Sequence, residues 1–135
     1  MQAILIQSPG GPEQLQPGEW PTPAPGRSQV LVKVAATALN RADTLQRQGQ
    51  YPAPPGASPI LGLELAGTVV ETGEGVSRWQ PGDAVFGLLS GGGYAEYAVI
   101  HEAMALSVPP NLTMTEAAAL PEVFLTAFQA LNWLA

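Results

Sequence analysis

"LELAGTVVETG", residues 63–73, predicts a β-strand that carries one charged residue near its start. Its apolar and β-branched residues favour a strand, and Gly67 within it indicates a bulge or the close approach of another backbone. Glu64 is the only charge between Arg47 and Glu71. Because burying a lone carboxylate is costly, Glu64 either has a hydrogen-bonding or ionic partner, naturally an arginine, or faces solvent at the strand end.

Short segments on both sides of this stretch predict further strands, at 2–7, 28–39, 81–89 after a turn, 91–100 after a glycine-rich turn, and 104–109. Most of the 15 glycines and 14 prolines lie between them, so 10–13 predicts a turn, and 20–26 and 51–62 predict irregular connections. This pattern predicts a mainly β fold, either a barrel or a sandwich.

Three segments favour helix. Residues 40–49 predict one or two turns that end at Gly49. Thr113 and Glu116 have the spacing of a capping box, which predicts a helix start. Pro121 interrupts the following pattern, so we expect two consecutive helices, with Pro121 at or near the start of the second. The second has apolar residues at helical spacing: Phe124, Leu125, Phe128, Leu131 and Leu134.

Composition excludes several classes of function. The net charge is −6 and the only lysine is Lys33, so we expect no nucleic acid partner. No segment resembles a signal peptide or a membrane span, so we expect a soluble, cytoplasmic protein without a membrane partner. The chain has no cysteine and one histidine, His101, which excludes a Cys/His zinc site. Only 12% of residues are charged, so part of the surface is expected to be apolar and covered.

Common catalytic motifs are missing from the sequence. The glycine-rich segments 10–13 and 90–94 match no nucleotide-binding loop and predict turns. His101 has no recognisable catalytic partner and is expected at the surface or at a strand end. Glu71 and Glu74 flank a polar hairpin tip and are expected to be solvated.

A family resemblance appears in the order of four segments: "ALNRADTLQRQGQY" (38–51), "PAPPGASPILG" (52–62), "LELAGTVVETGEGV" (63–76) and "PGDAVFGL" (81–88). Together they resemble the N-terminal half of the quinone oxidoreductase branch of the medium-chain dehydrogenase/reductase superfamily, over essentially the whole chain. The tumour-suppressor-inducible quinone oxidoreductase group is the most similar, with likeness in "NRAD", "QRQGQY" and "PPGAS".

This resemblance implies a GroES-like fold, a partly open β-barrel with short helices and a C-terminal helical segment. Residues 1–120 would form the catalytic domain, and 121–135 would begin the helix that leads into a Rossmann domain absent from this chain. The missing nucleotide-binding loop would then lie beyond residue 135. The expected apolar surface would form one wall of the cleft between the two domains.

The resemblance also implies an activity, which is the NADPH-dependent reduction of quinones or conjugated carbonyls by a homodimer without zinc. Zinc-dependent alcohol dehydrogenases carry a ligand cysteine where this sequence has Asn40, and a ligand histidine where it has Leu63. The glutamate that follows is retained as Glu64. The resemblance thus agrees with the composition, which by itself argues against zinc.

Family relatives suggest roles for individual residues. Asn40 would offer its amide to the nicotinamide side or to the substrate carbonyl, and Tyr51 would offer its phenol to the substrate oxygen. Leu63 would line the substrate pocket. Thr126 matches a position that contacts the nicotinamide carboxamide in relatives.

The charged residues of 38–51 have less specific roles. Arg47 either reaches the cleft and binds substrate or caps the short helix. Arg41 and Asp43 are expected to be structural, paired with Glu64 or with each other.

A different class of function remains open. If the native chain ends at Ala135, it has half a cleft and would be a non-catalytic GroES-like module that acts through partner contacts. The 135-residue chain alone is expected to be inactive and to bind NADPH weakly or not at all.

Overall fold

The computed structural model describes residues 1–134, which form seven strands, three α-helices and a short 3₁₀ helix at Pro12–Gln14. The strands are β1 Gln2–Ile6, β2 Leu15–Glu19, β3 Gln29–Ala36, β4 Glu64–Thr72, β5 Ala84–Leu88, β6 Tyr97–His101 and β7 Ala105–Ser107. The helices are α1 Arg41–Arg47, α2 Met114–Ala118 and α3 Pro121–Asn132. The prediction of a mainly β fold is confirmed.

The main sheet contains five strands in the order β6-β3-β4-β5-β7, and every neighbouring pair is antiparallel. A smaller sheet pairs β1 with β2. A single bridge between Ala3 and Ala95 joins the small sheet to the chain just before β6. Strand β4 therefore lies at the centre of the main sheet, and Glu64 is its first residue.

Gly67 in β4 lies where two backbones meet. A Cβ atom at this position would collide with the backbone carbonyl of Lys33 on β3. The β3/β4 pairing also shifts register next to it, between Val34 and Ala36. The expectation of a bulge or close backbone approach at Gly67 is therefore confirmed.

Strand β4 is covered on both faces. Leu65 and Val69 belong to the main core cluster, whereas Ala66 packs in a second cluster with Ala117 and Ala118 of α2. Side chains alternate along a strand, so Glu64 shares the face of Ala66. This alternation directs the charged side chain toward the helical layer.

Both C-terminal helices begin where the sequence predicted. Thr113 and Glu116 form a capping box at the start of α2, and Pro121 is the first residue of α3. Gly49, the predicted stop of α1, has a φ of 76° and follows the C-cap Gln48. No helix within residues 1–134 is long and apolar enough to cross a membrane.

The glycine-rich turn and the following strand predicted at 91–100 are both present, because Gly91 and Gly92 have φ values of 142° and 98° and turn the chain before β6 begins at Tyr97. Strand β2 was not predicted, since Pro17 and Gly18 lie inside it. Proline is tolerated there because β2 pairs only with β1 and its other edge is free.

Candidate functional site

The candidate site is centred on the buried carboxylate of Glu64, whose residue is 1% exposed. The side-chain amide of Asn40 donates to Glu64 Oε1 at 2.7 Å, and the backbone N–H of Glu122 donates to Oε2 at 2.9 Å. The Thr37 hydroxyl donates to the backbone carbonyl of Glu64 at 2.7 Å. The expectation that an arginine pairs with Glu64 is therefore wrong, because an amide and a helix N-terminus satisfy it instead.

Asp43, 4% exposed, is a second buried carboxylate on the same side of the protein. Its Oδ2 accepts the backbone N–H of Asn40 at 2.8 Å and the hydroxyl of Tyr94 at 2.9 Å. Its Oδ1 accepts the backbone N–H of Gly62 at 3.3 Å. Asp43 thus fixes the start of α1 against the chain that enters β4, which agrees with the structural role expected for it.

Tyr94 donates its hydroxyl proton in this network. Burial, and then the hydrogen bond and negative charge of Asp43, raise the pKa of Tyr94 well above its ordinary value of 10.0. Its phenol therefore stays neutral and acts as a donor at physiological pH.

Glu122 places a third carboxyl group at the start of α3. Burial is the main cause that raises its pKa above the ordinary value, and the negative charges of Glu64 and Asp43 raise it further. A hydrogen bond from Thr126, one helical turn later, has a smaller opposite effect. Thr126 lies on the same helix as Glu122, whose backbone N–H binds Glu64.

Two further predicted site residues, Tyr51 and Leu63, are partly exposed to solvent. Tyr51 is 46% exposed. Leu63 is half-buried, and its carbonyl accepts the backbone N–H of Leu89 at 2.6 Å. Their predicted roles toward substrate stay predictions.

The arginines of the 38–51 segment make local contacts. Arg47 Nε donates to the Gly10 carbonyl at 3.1 Å, and Gly10 N–H donates back to the Arg47 carbonyl at 3.1 Å. Arg41 donates to the Thr44 hydroxyl at 3.3 Å and does not pair with Asp43. These contacts join the end of α1 to Gly10 and are not the helix cap that was expected as one alternative, while the role of Arg47 in substrate binding stays a prediction.

The exposed face of α3 is strongly apolar. Phe124 is 65% and Leu131 is 75% exposed, and the same holds for much of the helix and the residues after it. The exposed apolar side chains of this segment are Val123, Phe124, Leu125, Phe128, Leu131, Trp133 and Leu134. The apolar surface inferred from composition is therefore present, and it begins beside Glu64.

A separate open groove of about 730 Å³ lies on another part of the barrel. The proline-rich loop 54–59, Trp20, Tyr97 and His101 contribute to its walls. Asn40, Leu63, Thr126 and Tyr51 are not among its lining residues. We do not take this groove as the candidate site. The buried carboxylate and its hydrogen-bond donors lie at Glu64 instead.

The donor set does not suit a transition metal. An asparagine amide at position 40 and a leucine at position 63 are poor zinc ligands. In the part of the chain that the structure describes, no group of three or more His, Cys, Asp or Glu residues could hold a metal ion.

Residues 26–110 match the protein family described as "Alcohol dehydrogenase GroES-like domain". The chain belongs to this family. The human synaptic vesicle membrane protein VAT-1 homolog-like protein has the same fold, with a TM-score of 0.92 and 29% identity over 100% of this chain and 44% of that one. The expected GroES-like, partly open barrel is thereby confirmed.

Other relatives confirm the similarity to the quinone oxidoreductase branch of the medium-chain superfamily. A quinone oxidoreductase from Lama guanicoe is 38% identical over 97% of this chain and 40% of its own length. A mycobacterial protein solved in complex with NADPH has 33% identity and a TM-score of 0.89, covering 99% of this chain and 42% of that one. The chain thus spans about two fifths of the length of these relatives.

Three members of the network, Thr37, Tyr94 and Glu122, were not identified from sequence. Tyr94 contacts Asp43 across 51 positions, and Glu122 contacts Glu64 across 58. Local spacing carries no signal for contacts of this range. The unexplained charge of Glu64 was the one available indication that such partners exist.

Proposed function

We propose that this chain is the catalytic-domain part of a zinc-free, NADPH-dependent oxidoreductase that reduces quinones or related conjugated carbonyls. The observation that carries the proposal is the oriented amide of Asn40, held by Glu64 at the point where the exposed apolar face of α3 begins. Similarity to quinone oxidoreductases supports the substrate class, and the NADPH complex of a mycobacterial relative supports the cofactor.

The residues present are compatible with a nicotinamide ring and its carboxamide. Exposed apolar side chains on α3 offer a surface for an apolar ring, and Thr126 provides a hydroxyl on the same helix. The amide of Asn40 has two N–H groups, of which one is used by Glu64. The second remains for the carboxamide or for the substrate carbonyl.

NADPH, when bound, supplies the hydride that reduces the substrate. The protein's part is orientation and electrostatic stabilisation. As a carbonyl accepts hydride, negative charge grows on its oxygen, and donors held in place beforehand stabilise that charge without having to reorganise. Asn40 and Tyr51 are the proposed donors, while Leu63 provides an apolar wall in place of a metal.

The test is NADPH oxidation by the full-length protein against a panel of quinones and conjugated enones. In Asn40→Ala, loss of one preorganised donor is expected to lower kcat about 100-fold. Tyr51→Phe is expected to lower kcat/KM to a smaller degree, since its hydroxyl is exposed. Asn111→Ala and Tyr97→Phe are the matched controls and are expected to keep full activity.

Unchanged quinone reduction in both site variants would refute the assignment of these residues. If the full-length protein neither binds NADPH nor reduces any member of the panel, the oxidoreductase proposal fails. The alternative, a GroES-like module that acts through partner contacts, would then be favoured.

A further inference from the structure

Helix α3 has no N-cap from its own sequence. The residue in the cap position is Leu120, whose side chain makes no cap hydrogen bond. Pro121 follows it and has no backbone N–H, so Glu122 offers the first N–H of the helix. That N–H donates to Glu64 Oε2 at 2.9 Å. A strand residue 58 positions earlier therefore provides the missing cap.

The position of Glu64 at this helix start is electrostatically favourable. The N-terminus of a helix carries partial positive charge, which stabilises a nearby anion. Asn40 supplies a second neutral donor, so both oxygens of the buried carboxylate are satisfied. The arrangement explains how a charge can remain inside an apolar strand without a cationic partner.

Both partners of Glu64 are hydrogen-bond donors, and this restricts what can replace it. A carboxylate accepts at both oxygens, whereas a glutamine side chain accepts at one end and donates at the other. The amide nitrogen of Asn40 must face Glu64 for the bond to form. Glu64 therefore fixes the orientation of the Asn40 amide.

We propose that Glu64 is a positioning residue that couples Asn40 to Thr126. One oxygen orients the Asn40 amide, and the other fixes the first turn of α3, which places Thr126 one turn further on. The coupling rests on the proposed function in so far as Asn40 and Thr126 contact cofactor or substrate. The geometric part, that the amide and the helix start depend on a single carboxylate, can be tested separately.

The sharpest test exchanges donor and acceptor. In Glu64→Gln, the new NH₂ group faces one of the two donors: Glu122 N–H would lose its acceptor, or the Asn40 amide would have to turn its oxygen toward position 64. In the double variant Asn40→Asp/Glu64→Gln, the introduced glutamine can donate to the introduced aspartate, while its oxygen accepts from Glu122 N–H. The double variant keeps the total charge and both hydrogen bonds, but it removes the N–H that Asn40 presents to ligands.

Two measurements on the full-length protein test the two hydrogen bonds of Glu64 independently of activity. Glu64→Gln is expected to shift the side-chain amide resonances of Asn40 and to speed hydrogen exchange at Glu122 N–H roughly tenfold. The double variant is expected to recover the protection of Glu122. Glu116→Gln is the matched control, because Glu116 also caps a helix, α2, but touches neither Asn40 nor α3. It should leave both signals unchanged.

Kinetics then separate positioning from general stability. Glu64→Gln is expected to lower kcat roughly tenfold. The double variant should recover stability and exchange protection but not kcat, since the carboxylate that replaces the Asn40 amide has no N–H to donate. Glu116→Gln should keep both kcat and KM.

Unchanged Asn40 resonances and Glu122 exchange in Glu64→Gln would overturn the proposal, as would a double variant that gains no protection over Glu64→Gln. If Glu64→Gln alone does not fold, recovery of folding in the double variant supports the coupling, and failure of both contradicts it. A full-length protein that reduces no quinone would refute the proposed function, while resonance and exchange data would still decide the role of Glu64.

Discussion

The two C-terminal helices begin only a few residues apart, but their starts are stabilised in opposite ways. At α2, Thr113 and Glu116 cap each other, with Thr113 N–H donating to Glu116 at 2.8 Å and Glu116 N–H donating to Thr113 at 3.2 Å. Both residues are exposed. At α3, the cap is the buried carboxylate of Glu64, which comes from the centre of the main sheet.

This difference shows how sequence separation and burial change the contribution of a helix cap to stability. Water can replace a partner lost from the exposed box of α2. A donor left without a partner next to Glu64 is shielded, and leaving a buried donor unsatisfied costs about 1–3 kcal/mol. The start of α3 should therefore be the more sensitive of the two, and it is also the one connected to the candidate site.

Removing the long-range cap should have the largest effect. In Glu64→Ala, Asn40 and Glu122 N–H both lose their acceptor, and we expect the free energy of unfolding to fall by about 3 kcal/mol. Urea denaturation of the full-length protein measures this loss. Local hydrogen exchange should show the largest increase at the start of α3 and little change in α2. An equal increase of hydrogen exchange in both helices would mean that their N-terminal ends are not stabilised independently.

Removing the local cap should have a smaller effect. Thr113→Ala takes away the hydroxyl that accepts Glu116 N–H, and we expect a loss of about 1 kcal/mol. Thr113→Ser retains the hydroxyl and serves as the control. The same denaturation experiment applies, and activity should be unchanged because the cap bonds join Thr113 to Glu116 and not to Asn40. A loss as large as that of Glu64→Ala would contradict the comparison.

The smallest effect, and the most diagnostic, is an opposite response to pH. Hydrogen bonds from the backbone N–H of Thr113, and then from its hydroxyl, lower the pKa of Glu116 below its ordinary value of 4.5. The α2 cap is therefore fully effective above that value and is lost as pH falls through the lowered pKa. Burial, and then the negative charges of Glu64 and Asp43, raise the pKa of Glu122. The contribution of Glu122 to the stability of the folded protein is therefore most favourable below its ordinary pKa of 4.5, and it declines as pH rises through the raised pKa.

Hydrogen exchange at Glu116 and Glu122, corrected for intrinsic rates, tests this contrast. Acidification from neutral pH toward the ordinary glutamate pKa of 4.5 should first slow hydrogen exchange at the start of α3. Further acidification should then speed exchange at the start of α2. In Glu122→Gln the first effect should vanish, while the backbone N–H that Glu64 accepts is retained. A gain at α3 that persists in Glu122→Gln would assign the effect to another group.

Features specified by neighbouring residues were predicted from the sequence. The capping box at Thr113 and the helix start at Pro121 each depend on a few adjacent positions, and a glycine inside a strand pattern was enough to predict the close backbone approach at Gly67. Strand β2 was not predicted because Pro17 and Gly18 are weak strand formers, and pairing with β1 outweighs their preference. The turn before β6 was predicted from its glycines, and Gly91 and Gly92 indeed have positive φ values.

The site was predicted only in part. The charge of Glu64 indicated an unknown partner, and the family resemblance pointed to Asn40, but nothing in the sequence connected the two. An arginine was expected because charge pairing is the simplest solution for a buried carboxylate. The protein uses neutral donors, one of them a backbone N–H that is free because Leu120 cannot cap α3. Such a solution depends on the tertiary arrangement and leaves no local pattern.

The long-range cap of α3 also has a consequence for the order of folding. Helix α2 can close its capping box as soon as residues 113–118 come together, because only a short loop must be ordered. Helix α3 gains its cap only after β4 has taken its place in the sheet, which requires contacts between distant parts of the chain. The geometry around Asn40 should therefore form late, and a newly synthesised chain would acquire its barrel before it acquires its site.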